Sequence, residues 1–201
     1  MRMSSVVLGY LGLAVVGVAA QGTIAPRPAP PLERPMSTMA NPIVESSKMY
    51  YNSVKDNLIK SAAEMPAADY TFHPATIPAA DKKDIRTFGA LIGHIADGNY
   101  LFCGRASGTA SPAAMSDNLH KTAKADLQAA LKASFDFCDA AWSGTTDHNA
   151  STPADMPENM GASTRLGILA FNTGHDAEHY GNVVTYLRAK GLVPPSSSPG
   201  R

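Results

Sequence analysis

Apolar residues recur every three or four positions over long stretches of this chain, and this helical period constrains its fold most strongly. In the first stretch, Asn41 is placed to cap a helix with Pro42 in its first turn, and Met65-Pro66 interrupts the pattern. The predicted buried stripe of this helix comprises Ile43, Tyr50, Val54, Leu58 and Ala62. The first stretch therefore predicts one amphipathic helix of several turns.

Three further helices are predicted from the same kind of signal. Helix two is expected to begin at Thr87 and to end within Gly104 to Pro112. Helix three is expected to begin after Asp117 and to end before Gly144. Helix four is expected to begin near Ser163 or Thr164 and to end at Gly191. Helix three is expected to bury Leu119 and Ala123 near its start. No stretch shows the alternating pattern of a β-strand, so the chain is predicted to be an all-α four-helix bundle.

The N-terminal segment has the features of an export signal. Arg2 precedes an apolar run from Val6 to Ala20 that ends in small residues, as in a cleavable signal peptide over residues 1–20. The run is shorter than the roughly 20 residues that cross a bilayer, so no stable membrane span is expected after cleavage. Proline-rich residues 21–42 are predicted to form a tether, followed by the bundle over residues 43–197 and a tail over residues 198–201. A periplasmic or secreted protein is therefore expected.

The charge composition argues against a nucleic-acid partner. The chain has 17 basic and 17 acidic side chains, and no cluster of lysine and arginine. Proteins that bind nucleic acids concentrate positive charge on one surface to neutralise phosphates. A small-molecule substrate or ligand is the expected partner, and a homodimer is left open.

Histidines carry the most informative chemistry in the sequence. His175 and His179 lie four residues apart on helix four, so their side chains project from the same face, one turn apart. That face points toward the core, where His94 of helix two is available as a third ligand. Three neutral imidazoles bind a divalent ion such as Zn²⁺, Ni²⁺ or Fe²⁺ and leave positions open for water or substrate. The alternative is that each is an ordinary hydrogen-bonded histidine.

Polar residues near these histidines are candidates for orienting the imidazoles or a bound water. They are Asp97, Asn172, Glu178 and Asn182. Residues 175–179 also match the H-x-x-E-H pattern of inverted zinc peptidases, although the match involves only three positions. For each of the four, a place on a hydrated helix face is the alternative.

Several segments together resemble one known family. They are Tyr70-Thr71-Phe72, Arg86-Thr87-Phe88-Gly89, Leu91-Ile92-Gly93-His94-Ile95-Ala96-Asp97, Phe171-Asn172-Thr173-Gly174-His175-Asp176-Ala177-Glu178-His179, and Tyr186-Leu187-Arg188-Ala189-Lys190-Gly191. The set resembles the DinB-like family over roughly residues 43 to 197. The resemblance implies a four-helix bundle with a long crossover between helices two and three, and a divalent metal held by His94, His175 and His179. Relatives in this family include thiol-dependent transferases and isomerases.

The two cysteines test that topology independently. Cys103 and Cys138 both lie near the C-terminal ends of their helices, so a disulfide between them requires helices two and three to run parallel. Residues 105–118 can span up to about 46 Å, more than the roughly 27 Å length of such a helix, so a crossover is feasible. We expect the disulfide because export places the chain in an oxidising compartment, and two buried thiols are the alternative.

Two functions are compatible with these features. The first is a divalent-metal-dependent small-molecule hydrolase or thiol transferase that uses the three histidines. The second is a bundle that binds a metal or ligand without catalysing a reaction. No Ser-His-Asp arrangement, glycine-rich phosphate loop or pair of catalytic carboxylates indicates another active site, and no residue is assigned as the catalytic base.

Overall fold

A computed structural model describes four segments of the chain: residues 38–73, 85–112, 117–157 and 160–198. The predicted signal peptide and most of the predicted tether therefore lie outside the described residues. The C-terminal tail is described only up to residue 198.

Four long helices form the described part of the chain, as the periodicity predicts. They are α1 (Pro42–Glu64), α2 (Phe88–Ser107), α3 (Lys124–Ser143) and α4 (Arg165–Ala189), with 3-10 turns at Ala67–Asp69 and Pro195–Ser197. A two-stranded antiparallel sheet, β1 (Pro153–Asp155) with β2 (Ala162–Thr164), precedes α4 and was not predicted. Strands of three residues are too short to show an alternating pattern in a sequence. Among the described residues, no helix is long and apolar enough to span a bilayer.

Helices α2 and α3 run parallel, which confirms the predicted crossover. The amide of Asn99 donates to Ser134 Oγ at 3.1 Å, and further along both helices Cys103 forms a disulfide with Cys138. Residue numbers therefore increase together along the contact. The Cα atoms of the two cysteines lie 5.2 Å apart and both side chains are fully buried. The disulfide consequently joins the two helices inside the core.

Helix α4 runs antiparallel to α2. In the N-terminal half of α2, His94 contacts His175 of α4. Phe102, which comes later in α2, packs on Phe171, which comes earlier in α4. Helix α1 is antiparallel to α3, because Tyr51 contacts Asp139 near the end of α3. This arrangement places the central parts of α2 and α4 face to face, where the three histidines are found.

The predicted start of α3 is wrong. The helix begins at Lys124, not after Asp117, and Ala123 is exposed. The backbone N–H and the side-chain amide of Asn118 both donate to Asp97 Oδ1, at 3.2 and 2.6 Å. The same segment lies so close to α2 that a Cβ on Gly93 would be 2.3 Å from the Asn118 carbonyl oxygen. These tertiary contacts hold the segment as a turn where the local pattern indicated a helix.

The predicted buried stripe of α1 is wrong in its first half. Ile43 and Tyr50 are 60% and 58% exposed, whereas their neighbours Val44 and Tyr51 are buried. Tyr51 packs on Trp142 with ring centroids 5.3 Å apart, and this aromatic contact sets the rotation of the helix. The second half of the stripe is confirmed at Val54, Leu58 and Ala62.

Candidate metal centre

The structure brings together the three histidines that the sequence singled out. His94 comes from α2, and His175 and His179 come from successive turns of α4. The Nε2 atom of His175 lies 3.2 Å from Nε2 of His94 and 3.1 Å from Nε2 of His179. The potential ligand atoms of all three lie within 4.8 Å of one another. The three ring nitrogens thus converge on one point between the two helices.

A glycine on α2 makes room for this convergence. Gly98 lies one turn after His94, directly opposite the ring of His175. A Cβ at this position would be only 2.7 Å from His175 Cε1, a distance that real contacts do not reach. Any larger residue would therefore displace the His175 ring, so the close approach requires glycine here.

The distances from Nε2 of His175 to the other two nitrogens fit a bound divalent ion. Neighbouring ligands at metal–nitrogen distances of about 2.0 to 2.1 Å lie about 2.8 to 3.4 Å from one another in octahedral or tetrahedral geometry. The two Nε2–Nε2 distances of His175 fall within that range. Hydrogen bonds alone satisfy the cluster poorly, since Nε2 of His175 carries either one proton or one lone pair but faces two other nitrogens. A cation accepts all three lone pairs at once, and imidazole is a donor that Zn²⁺, Ni²⁺ and iron all accept.

The environment keeps two of the ligands neutral and ready to coordinate. Burial lowers the pKa of His94 to about 4, and electrostatic interactions with Arg86 and then His175 lower it further. Burial also lowers the pKa of His179 to about 4. Electrostatic interactions with His175, His94 and Arg86 make smaller contributions in the same direction. Both rings therefore present lone pairs near pH 7, which metal binding requires.

Asp176 is a site residue that sequence reasoning did not assign. Its side chain is fully buried, and its Oδ1 lies 3.5 Å from Nδ1 of His175, while neither atom has a recorded hydrogen-bond partner. Burial raises the pKa of Asp176 to about 6, and the contact with His175 opposes that rise. A carboxylate behind a ligating histidine keeps the proton on Nδ1 and leaves the Nε2 lone pair for the metal. The sequence signal was present, since an acidic residue directly follows His175, but its burial became clear only in the fold.

The four predicted orienting residues have different positions. Asn172 is fully buried, and its amide donates to Asp176 Oδ2 at 3.4 Å and to Asn99 Oδ1 at 2.7 Å. Asn182 is nearer the surface, with its amide nitrogen 3.4 Å from Nδ1 of His179. Asn172 thus holds Asp176 in place through a hydrogen bond, and Asn182 contacts His179 directly.

The other two candidates do not contact the histidines through any recorded hydrogen bond or ion pair. Asp97 accepts from Asn118 and so holds the turn before α3. Glu178 is exposed and lies about 100° around α4 from His179. The H-x-x-E-H pattern of the sequence therefore does not place its glutamate at the cluster.

A cavity of about 360 Å³ lies beside the cluster. It is lined by His179, by residues just before and at the start of α2, and by residues in the last turns of α4: Ile85, Arg86, Leu91, Asn182, Thr185 and Tyr186. A larger cavity of about 590 Å³ lies at the C-terminal end of α2, but none of the three histidines contributes to it. The smaller cavity is the one from which a small molecule could approach the cluster, because His179 forms part of its wall.

Comparisons with known proteins agree with this architecture. The chain is similar in fold to the crystal structure of a DinB-like protein from Bacillus cereus ATCC 10987, with a TM-score of 0.61 and 17% identity over 75% of this chain and 95% of that chain. A search of curated protein sequences finds no match. The model of the DinB superfamily matches residues 50–183, which include α2, α3, most of α1 and α4, and the three histidines. The chain therefore belongs to the DinB superfamily.

Proposed function

We propose that this protein is a divalent-metal-dependent enzyme that acts on a small molecule, as a hydrolase or a thiol-dependent transferase. The observation that supports this proposal best is the convergence of three Nε2 atoms, two of which lie 3.1 and 3.2 Å from the third. Zinc, nickel and iron are the candidate ions, since all accept a set of three imidazoles. A divalent ion held there supplies Lewis-acid polarisation of a substrate group.

The residues of the chain have separate roles in this proposal. His94, His175 and His179 bind the ion through their Nε2 atoms. Asp176 holds the proton on Nδ1 of His175, and Asn172 fixes the carboxylate through its amide. The surrounding core excludes water from this side of the site, because Asp176 and Asn172 are both fully buried. The histidine ligands are thereby held in the orientation that coordination needs.

The cavity beside His179 favours catalysis over passive metal storage. A protein that only stores an ion gains nothing from open space next to a ligand, whereas an enzyme must admit its substrate there. The disulfide favours hydrolysis over thiol transfer, because disulfides persist in oxidising compartments, where low-molecular-weight thiols are scarce. It also supports the expected export of the protein.

Metal content per chain tests the proposal. Residues 21–201, exported to an oxidising compartment, should carry about one equivalent of a divalent ion by elemental mass spectrometry. His94→Ala and His175→Ala should lose it, whereas His148→Ala, which alters an exposed histidine outside the cluster, should retain it. A wild-type protein that takes up no added ion, or alanine variants that keep it, would refute the metal site.

The same variants test catalysis. A screen of small esters, amides and thiol-transfer substrates should yield a turnover that His179→Ala abolishes together with metal uptake. If the wild-type protein binds the ion but turns over none of these substrates, the non-catalytic binding function is preferred.

A further inference from the structure

The cavity beside His179 has walls of two chemical kinds. Ile85, Leu91 and Tyr186 contribute apolar surface. Arg86, Asn182 and Thr185 contribute groups that can donate hydrogen bonds, and none of the described residues that line the cavity is acidic. A ligand that fits these walls has an apolar body and a group that accepts hydrogen bonds.

The charge balance of the site makes that group an anion. Three neutral imidazoles bring no negative charge to a divalent cation, so the open side of the proposed site is strongly positive. Asp176 lies behind His175 and is fully buried, so it does not face the cavity wall formed by His179. The positive charge on the cavity side is therefore left for a ligand to neutralise.

Arg86 adds to this positive field. It lines the same cavity as His179, so its charge adds to that of the proposed ion on this side of the site. Within the described part of the chain, no recorded ion pair joins a carboxylate to this guanidinium. A guanidinium offers paired N–H donors that match the two oxygens of a carboxylate.

The backbone at Arg86 is anchored to the cavity wall. The hydroxyl of Tyr186 donates to the Arg86 carbonyl oxygen at 2.6 Å, which ties the start of α2 to the end of α4. Two residues later, the N–H of Phe88 donates to the Phe72 carbonyl oxygen at 2.9 Å. The side chain of Arg86 thus begins from a fixed point next to the site.

We propose that the substrate of this protein carries a carboxylate on a small apolar body, and that Arg86 is the residue that selects it. The inference rests on the proposed metal site, because the carboxylate is bound in the field of both the ion and the guanidinium. Arg86 binds the charged group, and the apolar walls receive the remainder of the molecule.

Arg86→Gln separates substrate selection from metal binding, because the two effects have opposite signs. Removal of a positive charge near a cation site leaves metal affinity unchanged or tighter, whereas it weakens the binding of an anion. Loss of a charge-assisted contact is expected to weaken carboxylate binding by about ten- to a hundredfold. A merely structural role would instead weaken both.

The test uses residues 21–201 loaded with Co²⁺, whose visible spectrum reports coordination. Butyrate is titrated by calorimetry, with the uncharged butyramide as the matched probe. Arg105→Gln is the control, since it removes an arginine near the other end of α2 that lines the larger cavity. We expect butyrate to bind wild-type and Arg105→Gln protein equally, Arg86→Gln protein at least about tenfold more weakly, and butyramide to bind far more weakly than butyrate.

Each other outcome overturns the inference. Equal butyrate affinity in wild-type and Arg86→Gln protein would show that Arg86 does not select the ligand. Equal binding of butyramide would show that charge is not recognised, and loss of both Co²⁺ and butyrate in Arg86→Gln would indicate a structural role. If the wild-type protein takes up no Co²⁺, the proposed function fails and this inference fails with it; normal Co²⁺ uptake without butyrate binding refutes this inference alone.

Discussion

Reduction of the Cys103–Cys138 disulfide should lower the stability of the bundle by a predictable amount. The two cysteines are 35 residues apart in the sequence, so the disulfide removes the freedom of a loop of that length from the unfolded chain. The loop-entropy relation gives about 13 cal/mol/K for this length, or about 4 kcal/mol at 25 °C. That amount is a large fraction of the stability of an ordinary domain.

The folded state should tolerate reduction with little rearrangement. Both cysteines are fully buried, and the Cys138 sulfur lies 3.4 Å from the Asn99 carbonyl oxygen and 3.9 Å from the Asn172 amide. Packing and polar contacts therefore keep the two side chains in place after reduction. For a bundle of this size, about 4 kcal/mol corresponds to a decrease in Tm of about 8 to 15 °C.

Thermal melts of residues 21–201 with and without a reductant measure the effect. Thiol titration under native conditions should first show complete reduction. Cys103→Ala/Cys138→Ala is the matched control, because its Tm should not respond to the reductant. A fully reduced wild-type protein whose Tm falls by less than about 2 °C would refute the loop-entropy argument for this chain.

Three further predictions concern the metal centre. Gly98→Ala should weaken Co²⁺ binding about tenfold or more in a competition titration, because its Cβ would be 2.7 Å from His175 Cε1. Asp176→Asn should weaken Co²⁺ binding about 10- to 100-fold, since the oxygen facing Nδ1 loses its charge. The folded pKa values of His94 and His179 are lowered to about 4, so on acidification the unfolded chain binds protons before the folded protein does. In denaturant melts of the metal-free protein, these two histidines should therefore lower the free energy of unfolding as the pH decreases from 6.5 to about 4.

Matched variants control each of these predictions. Gly174→Ala lies on α4 with nothing near its Cβ, so it should bind Co²⁺ normally and be slightly more stable. Glu178→Gln removes an exposed charge next to His179 and should leave Co²⁺ affinity unchanged. Normal affinity in Gly98→Ala or Asp176→Asn would refute the corresponding role.

The pH prediction needs a comparison between proteins because Asp176 has the opposite effect. Its folded pKa is raised to about 6, so it contributes stability below pH 3.8 that is lost as the pH rises through 6. His94→Gln/His179→Gln should therefore lose less stability on acidification than the wild-type protein. An identical pH dependence in both proteins would contradict the lowered pKa values of His94 and His179.

Signals that repeat along a helix could be interpreted without a structure. The positions of α2 and α4, with Thr87 and Thr164 as caps, follow from local rules of side-chain spacing and capping. The i, i+4 pair on α4 and its inward face follow from the same period, and His94 was found because it occurs on the next inward face. The parallel arrangement of α2 and α3 was also accessible, because only that topology allows the disulfide.

Features that depend on contacts between distant residues were not accessible in this way. Asn118 begins no helix because Asp97, 21 residues earlier, binds its N–H and its amide. Tyr50 is exposed and Tyr51 is buried because the latter packs on Trp142. A one-residue rotation of α1 changes the local period very little, so only the packing partner decides it.

The sequence by itself determined that four helices form and that His175 and His179 share one face of α4, because both depend on spacing along a single helix. The tertiary structure alone decided that Asp176 lies behind His175, that Glu178 faces away, and that Arg86 lines the cavity beside His179. These depend on how α2 and α4 are rotated and paired, and that is set by the summed packing of side chains far apart in the sequence.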